Sequence, residues 1–84
     1  MSKSLRRVIQ NQLFNVKGEI SNIIFNAIQG QMEYDLNTDK FWIELKNLRT
    51  DYFLQNPNER GGKIEGTDIY WRVQSNMFFV WLDM

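Results

Sequence analysis

The chain has 84 residues, with ten basic and ten acidic side chains, and contains neither cysteine nor histidine. A chain of this size holds one core and buries only about 60% of the surface that its unfolded form exposes, so short domains commonly lean on disulfides, a structural metal or a partner. Disulfides are excluded here, and the thiolate and imidazole ligands that structural zinc prefers are missing, which leaves idealised packing or association.

Residues 3–29 carry the clearest pattern. Ile9, Leu13, Val16, Ile20, Ile23 and Ala27 recur at spacings of three and four, the period of a helix with one apolar face. Leu5, Ile24 and Ile28 broaden that face, Ser2 or Ser4 is placed to cap its start, and Gly30 stands where a helix C-terminus favours glycine. Gly18 offers a break into two helices near Asn15–Gly18, but the stripe keeps its phase across it. The spacing therefore predicts one long helix of about 40 Å at 1.5 Å per residue.

After Gly30, Met32, Tyr34 and Leu36 alternate with Glu33 and Asp35 as a short strand, and Asn37-Thr38-Asp39 forms a turn. Two readings are open at residues 38–46. Phe41, Leu45, Leu48 and Tyr52 fit a second helix, whereas Phe41, Ile43 and Leu45 fit the returning strand of a hairpin. The helix formers from Glu44 to Arg49 favour the helix. Residues 55–62 hold Pro57, Gly61 and Gly62 and read as a loop. Ile69, Trp71 and Val73 then alternate with Tyr70 and Arg72, Gln74-Ser75-Asn76 turns, and Phe78 to Leu82 is continuously apolar, which reads as a C-terminal antiparallel hairpin. Ile64 is out of phase with Ile69, so Gly66 marks an expected bulge. The expectation is a single α+β domain over residues 1–84: a long N-terminal helix and a second helix packed on a three-stranded antiparallel sheet.

The last strand is apolar on both faces, with Phe79 and Trp81 on one and Phe78, Val80 and Leu82 on the other. One layer of helices covers only one of them. Aromatic residues make up 14% of the chain, a large apolar payload, and rings left near the surface call for a second protein. On the first helix Asn11, Asn15, Gly18, Asn22, Asn26 and Gln29 form an uncharged stripe flanked by Phe14 and Phe25. Amides are poor occupants of a solvated helix face, and charge-poor surfaces with aromatics resemble interface cores; a general asparagine bias of the sequence explains the stripe equally well. Phe14, Asn15, Asn22, Phe25, Asn26, Phe78 and Val80 are thus the candidate partner-binding residues.

Charge is distributed unevenly despite the zero total. Lys3, Arg6, Arg7 and Lys17 precede the first acid, and Glu19, Glu33, Asp35 and Asp39 follow with no base among them. Arg6, Arg7 and Lys17 are the candidate contacts to a nucleic-acid backbone, against the plainer reading of a solvated helix end. Tyr70-Trp71-Arg72 fits either stacking of bases on a sheet or a cross-strand ring pair with Trp81 or Phe79. With only Arg72 and Lys63 supplying charge nearby, the pair is preferred.

Catalysis has little to work with. The carboxylate pairs Asp35/Asp39 and Glu65/Asp68 lie in polar segments where acids are ordinarily solvated, and Arg60-Gly61-Gly62-Lys63 lacks the flanking strand and helix of a phosphate loop. No enzyme activity, cofactor or metal is expected. Lys63-Ile64-Glu65-Gly66-Thr67-Asp68-Ile69-Tyr70-Trp71-Arg72-Val73 with Phe78-Phe79-Val80-Trp81, after a helical first part, resembles the strand region of small RelE/ParE-type toxins. Those strands are arginine-rich in that family, whereas here only Arg72 matches, so the resemblance does not imply ribonuclease activity.

The expected role is a small non-enzymatic protein-binding module. By analogy of size and composition with accessory proteins of phages and mobile elements, it would dock on and inhibit or adapt a larger host complex. Self-association as a homodimer is expected as well. A nucleic-acid-binding module and a self-assembling structural component are the alternatives. No run of about 18 apolar residues exists to span a membrane, and the N-terminal residues lack the apolar core of a secretory signal; a cytoplasmic location is expected.

Overall fold

In the computed structural model, which describes residues 3–30, 32–48 and 51–83 with side chains from residue 5, the first apolar stripe folds as two helices, α1 (Lys3–Leu13) and α2 (Glu19–Gln29). This corrects the single long helix. Asn15 and Gly18 are poor helix residues, and Gly18 sits at φ 151°, a backbone state that side chains disfavour. The chain leaves α1 through Phe14 and Val16 amides donating to the Asn11 and Leu13 carbonyls at 3.3 and 3.0 Å. The break lets both halves of the stripe cover one core: Leu5, Ile9 and Leu13 from α1 pack with Ile24, Ala27 and Ile28 from α2, and Val16 keeps the phase in the link. A straight helix of about 40 Å would overrun a molecule only 36 Å in its longest dimension.

Arg6 ties the helical pair together. Its guanidinium donates to the Ile28 carbonyl, one of the acceptors that a helix C-terminus leaves unmade, and lies 5.8 Å from the centre of the Phe41 ring. The serine cap expected at Ser2 or Ser4, and Arg49 of the expected second helix, lie outside the described residues and side chains.

Residues 33–44 form the hairpin rather than a strand and a helix. Strand β1 (Glu33–Asp35) returns as β2 (Lys40–Glu44) through a turn in which Asp35 Oδ1 accepts from the Asn37 amide at 2.9 Å, Asp39 takes φ 52°, and the Tyr34 hydroxyl donates to Asp39 at 2.6 Å. Local helix preference loses because Phe41 and Ile43 gain a full ladder against the last strand, from Lys40↔Trp81 to Glu44↔Met77. The helix formers that follow close only a 3-10 turn, Leu45–Asn47, anchored by the Leu45 amide on the Asn76 carbonyl at 2.7 Å, and a short helix α3 (Asp51–Gln55).

The expected loop at 55–62 runs into a further strand, β3 (Gly61–Lys63), before β4 (Ile69–Gln74) and β5 (Met77–Leu82) form the C-terminal hairpin. The sheet is therefore five-stranded, in the order β1-β2-β5-β4-β3, and antiparallel throughout. Gly66, at φ 86°, belongs to a tight connection between β3 and β4. Buried Thr67 closes that turn: its hydroxyl donates to the Ile64 carbonyl at 2.7 Å and accepts from the Ile69 amide at 3.1 Å. Thr67→Val keeps the shape but orphans the Ile69 donor. It should cost about 1–3 kcal/mol in urea unfolding, and Thr67→Ser, which keeps both bonds, should cost less.

All described helices lie on one side of the sheet. Phe41, Ile69, Trp71, Val73, Phe78 and Val80 point into the core beneath them, with Phe78, Val80 and Ile69 fully buried. The Phe53 ring of α3 lies 5.6 Å from Phe78 and 6.1 Å from Trp71. Among the described residues no helix is long and apolar enough to cross a membrane.

Candidate functional site

The face of the sheet away from the helices carries the residues that alternate with the core positions, and strand register sets them in rows. One row runs Asp35, Lys40, Trp81, Tyr70, Lys63 from β1 to β3; the next runs Glu33, Trp42, Phe79, Arg72, Gly61; a third holds Glu44, Met77 and Gln74. Each of the first two rows starts on an acid, passes through two aromatic rings and reaches a base. Trp42, Tyr70, Phe79 and Trp81 are half-buried by one another, and no described element lies over them. Gly61 has its place in this pattern: a Cβ there would stand 3.0 Å from the Trp71 carbonyl oxygen, so a side chain would push β3 a few tenths of an ångström from β4.

The rings are engaged by stacking and by cations. Tyr70 and Trp81, paired across the hairpin as expected, have centroids 5.9 Å apart and planes 16° from parallel. The Lys40 ammonium stands 5.1 Å from the Phe79 centroid and 5.4 Å from that of Trp81, and the Arg72 guanidinium stands 5.9 Å from Trp81. Such cation–ring contacts keep lysine and arginine stems lying along the apolar stripe. The face is amphipathic: a continuous aromatic band with acids along one edge and bases along the other.

A second concavity, of about 450 Å³, opens between α2 and the segment from β2 to α3. Asn22 and Asn26 line it with Glu19, Asn47, Asp51 and Tyr52. The Tyr52 hydroxyl donates to Glu59 at 2.5 Å. Desolvation first, then that bond and the charges of Glu59 and Glu19, push its pKa up to about 12.

The sequence-derived site residues are dispersed over the fold. Phe14 is 78% exposed in the link after α1, beside exposed Asn15. Asn22 and Asn26 are exposed on α2, and Phe25 packs against the core at partial burial. The helix break thus divides the amide stripe between the link and the α2 cleft. Phe78 and Val80 are fully buried under the helices, a correction to their expected role in binding: the open side of β5 carries Phe79 and Trp81 instead. Arg6 and Arg7 stand on the first turns of α1 and Lys17 in the link beyond its far end, so the three bases do not form one patch, and Arg6 is held by Ile28. Asp35 and Asp39 serve the β1–β2 turn; Glu65 and Asp68 are exposed, the Asp68 amide donating to Gln12 at 2.7 Å. Among the described residues no cluster of three or more acids, cysteines or histidines is placed to hold a metal.

Trp42 is the functional candidate that sequence reasoning missed, because the helical reading of residues 41–52 put it on no particular face. The signal was the alternation Lys40, Trp42, Glu44 against Phe41 and Ile43, which places Trp42 beside Phe79 only if the segment is a strand. No protein-family model matches the chain, and no curated protein or solved structure matches it either.

Proposed function

We propose that the chain is a non-enzymatic protein-binding module that docks through the open face of its sheet. The observation that carries this reading is the contiguous band Trp42, Phe79, Trp81 and Tyr70 with no described element above it. Apolar aromatic surface in water is costly, and aromatic bands rimmed by charge are what protein interfaces bury at their centres. A module of this kind acts by occupying or bridging a surface of a larger complex, as an inhibitor or adaptor.

A nucleic-acid platform is the second reading, favoured by the same rings beside Lys40, Lys63 and Arg72. Protein is preferred for two reasons. Glu33 and Asp35 share the face and offset two of its three bases, with Glu44 paired to Lys46 at 3.4 Å, whereas single-strand platforms need an excess of positive charge. Tyr70 and Trp81 also stack on each other, and Lys40 already occupies the rings that bases would need.

Affinity capture tests the choice, using tagged protein from cells that also make an untagged copy. Wild type should retain a protein in stoichiometric amount after nuclease treatment, and Trp42→Ser/Trp81→Ser should release it. Retention of nucleic acid alone, or of a protein that the double variant still holds, would sink the reading.

A further inference from the structure

The order of charge across the open face is self-complementary, and from it we infer that a second copy of this chain covers the face, sheet on sheet, about a two-fold axis that runs parallel to the strands above β5. The inference rests on the reading that the open face docks protein, and it names the occupant in the purified protein, which a larger complex would displace from the same rings. β5 is the middle strand of the five, so an axis above it sets each edge of one sheet over the opposite edge of the other.

The registers then match row by row. Asp35 on β1 comes over Lys63 on β3 of the second copy, and Lys40 on β2 comes over the Tyr70 ring on β4. In the next row Trp42 comes over Arg72, while Phe79 and Trp81 meet their own equivalents along the axis. These pairings are ion pairs, cation–ring contacts or aromatic contacts, while Glu33 comes over Gly61 and Glu44 over Gln74, with no charge opposite either. A two-fold perpendicular to the strands would instead lay the acidic edge on the acidic edge and the basic edge on the basic edge, which costs free energy. Aligned sheets pack about 10 Å apart at roughly 30°, within reach of these long side chains.

The size of the face bounds the affinity. Five strands at about 4.8 Å and three side-chain levels at about 7 Å give a patch of roughly 24 by 20 Å. That lies at the low end for specific interfaces, so a dimer that dissociates in about the micromolar range is expected.

Charge exchange between the two edges tests the geometry in sedimentation velocity on purified protein. Wild type should pass from monomer to dimer with concentration, and raising salt should shift it toward monomer. Glu33→Lys/Asp35→Lys and Lys63→Glu/Arg72→Glu should each weaken self-association by about tenfold or more. An equimolar mixture of the two variants should recover a dimer, because the reversed charge at position 35 of one then meets the reversed charge at position 63 of the other. An unfolded chain cannot produce that recovery. Should loss of the Asp35 turn contact prevent the first variant from folding, the second variant and the salt series decide alone. A wild type that stays monomeric to about millimolar concentration, a dimer that tightens with salt, or variants that dimerise like wild type would overturn the inference. So would purified protein that carries nucleic acid in place of a second copy. A monomer that nonetheless captures a different protein through Trp42 and Trp81 would end the second-copy inference and leave the docking reading standing; a monomer whose captured protein ignores those residues would end both.

Discussion

Phe78→Ala should remove about 3–5 kcal/mol of stability and lower the thermal midpoint by roughly 15–30 °C for a domain of this size. Phe78 is fully buried, faces Ile43 on β2 and Val73 on β4, and lies 5.6 and 6.1 Å from the Phe53 and Trp71 rings. It is the ring on which three strands and α3 meet. Truncation leaves a cavity that no neighbour can close, because the residues around it belong to different elements and cannot relax together. Small domains have about 0.05–0.15 kcal/mol of stability per residue, so the loss is a large share of the whole. Phe14→Ala, at a ring 78% exposed, should change stability by no more than about 0.5 kcal/mol. Thermal melts followed by circular dichroism check both, and equal losses in the two variants would show that the core is misassigned.

The opposite pattern is expected for Trp42→Ser/Trp81→Ser. Both rings lie partly buried on the open face, outside the core, and their contacts are cross-strand pairs and cations, each worth about 1 kcal/mol or less, so the variant should remain folded with a lower midpoint. Docking should suffer far more. Aromatic residues at the centre of an interface commonly cost about 2 kcal/mol or more when truncated, about thirtyfold in affinity apiece, and a loss of a hundredfold or more is expected for the pair. The separation of effects is the diagnostic. Loss of folding together with binding would place these rings in the core, and retained binding would remove the open face from the account.

The core was largely legible in the sequence and the layer arrangement was not. Ile9, Leu13, Ile24, Ala27 and Ile28 announced their burial by period, and the C-terminal hairpin by alternation, because each signal is local. The break at Gly18 was hidden by the in-phase stripe: a five-residue link happens to return Val16 and Ile20 to the same core, so periodicity alone cannot tell one helix from a helical hairpin. Residues 40–44 were decided by pairing with Met77–Trp81, more than thirty positions away, where local propensity has no say. That single misreading also hid Trp42. Gly61–Lys63 became a strand on the strength of three backbone pairings to β4, with no side chain at Gly61 or Gly62 to signal it. Uncovered apolar surface on β5 was foreseeable from its two-faced character, and only the burial of Phe78 and Val80 shows which side is open.

The most direct test of the open face as a docking surface is hydroxyl-radical footprinting of the protein, dilute and alone, then concentrated, then bound to whatever it captures. Trp42, Tyr70, Phe79 and Trp81 should react readily in the dilute protein and become protected together on association, while Phe14 stays reactive throughout. Protection confined to Phe14 and the α2 cleft, with the four sheet rings equally reactive in every state, would contradict it.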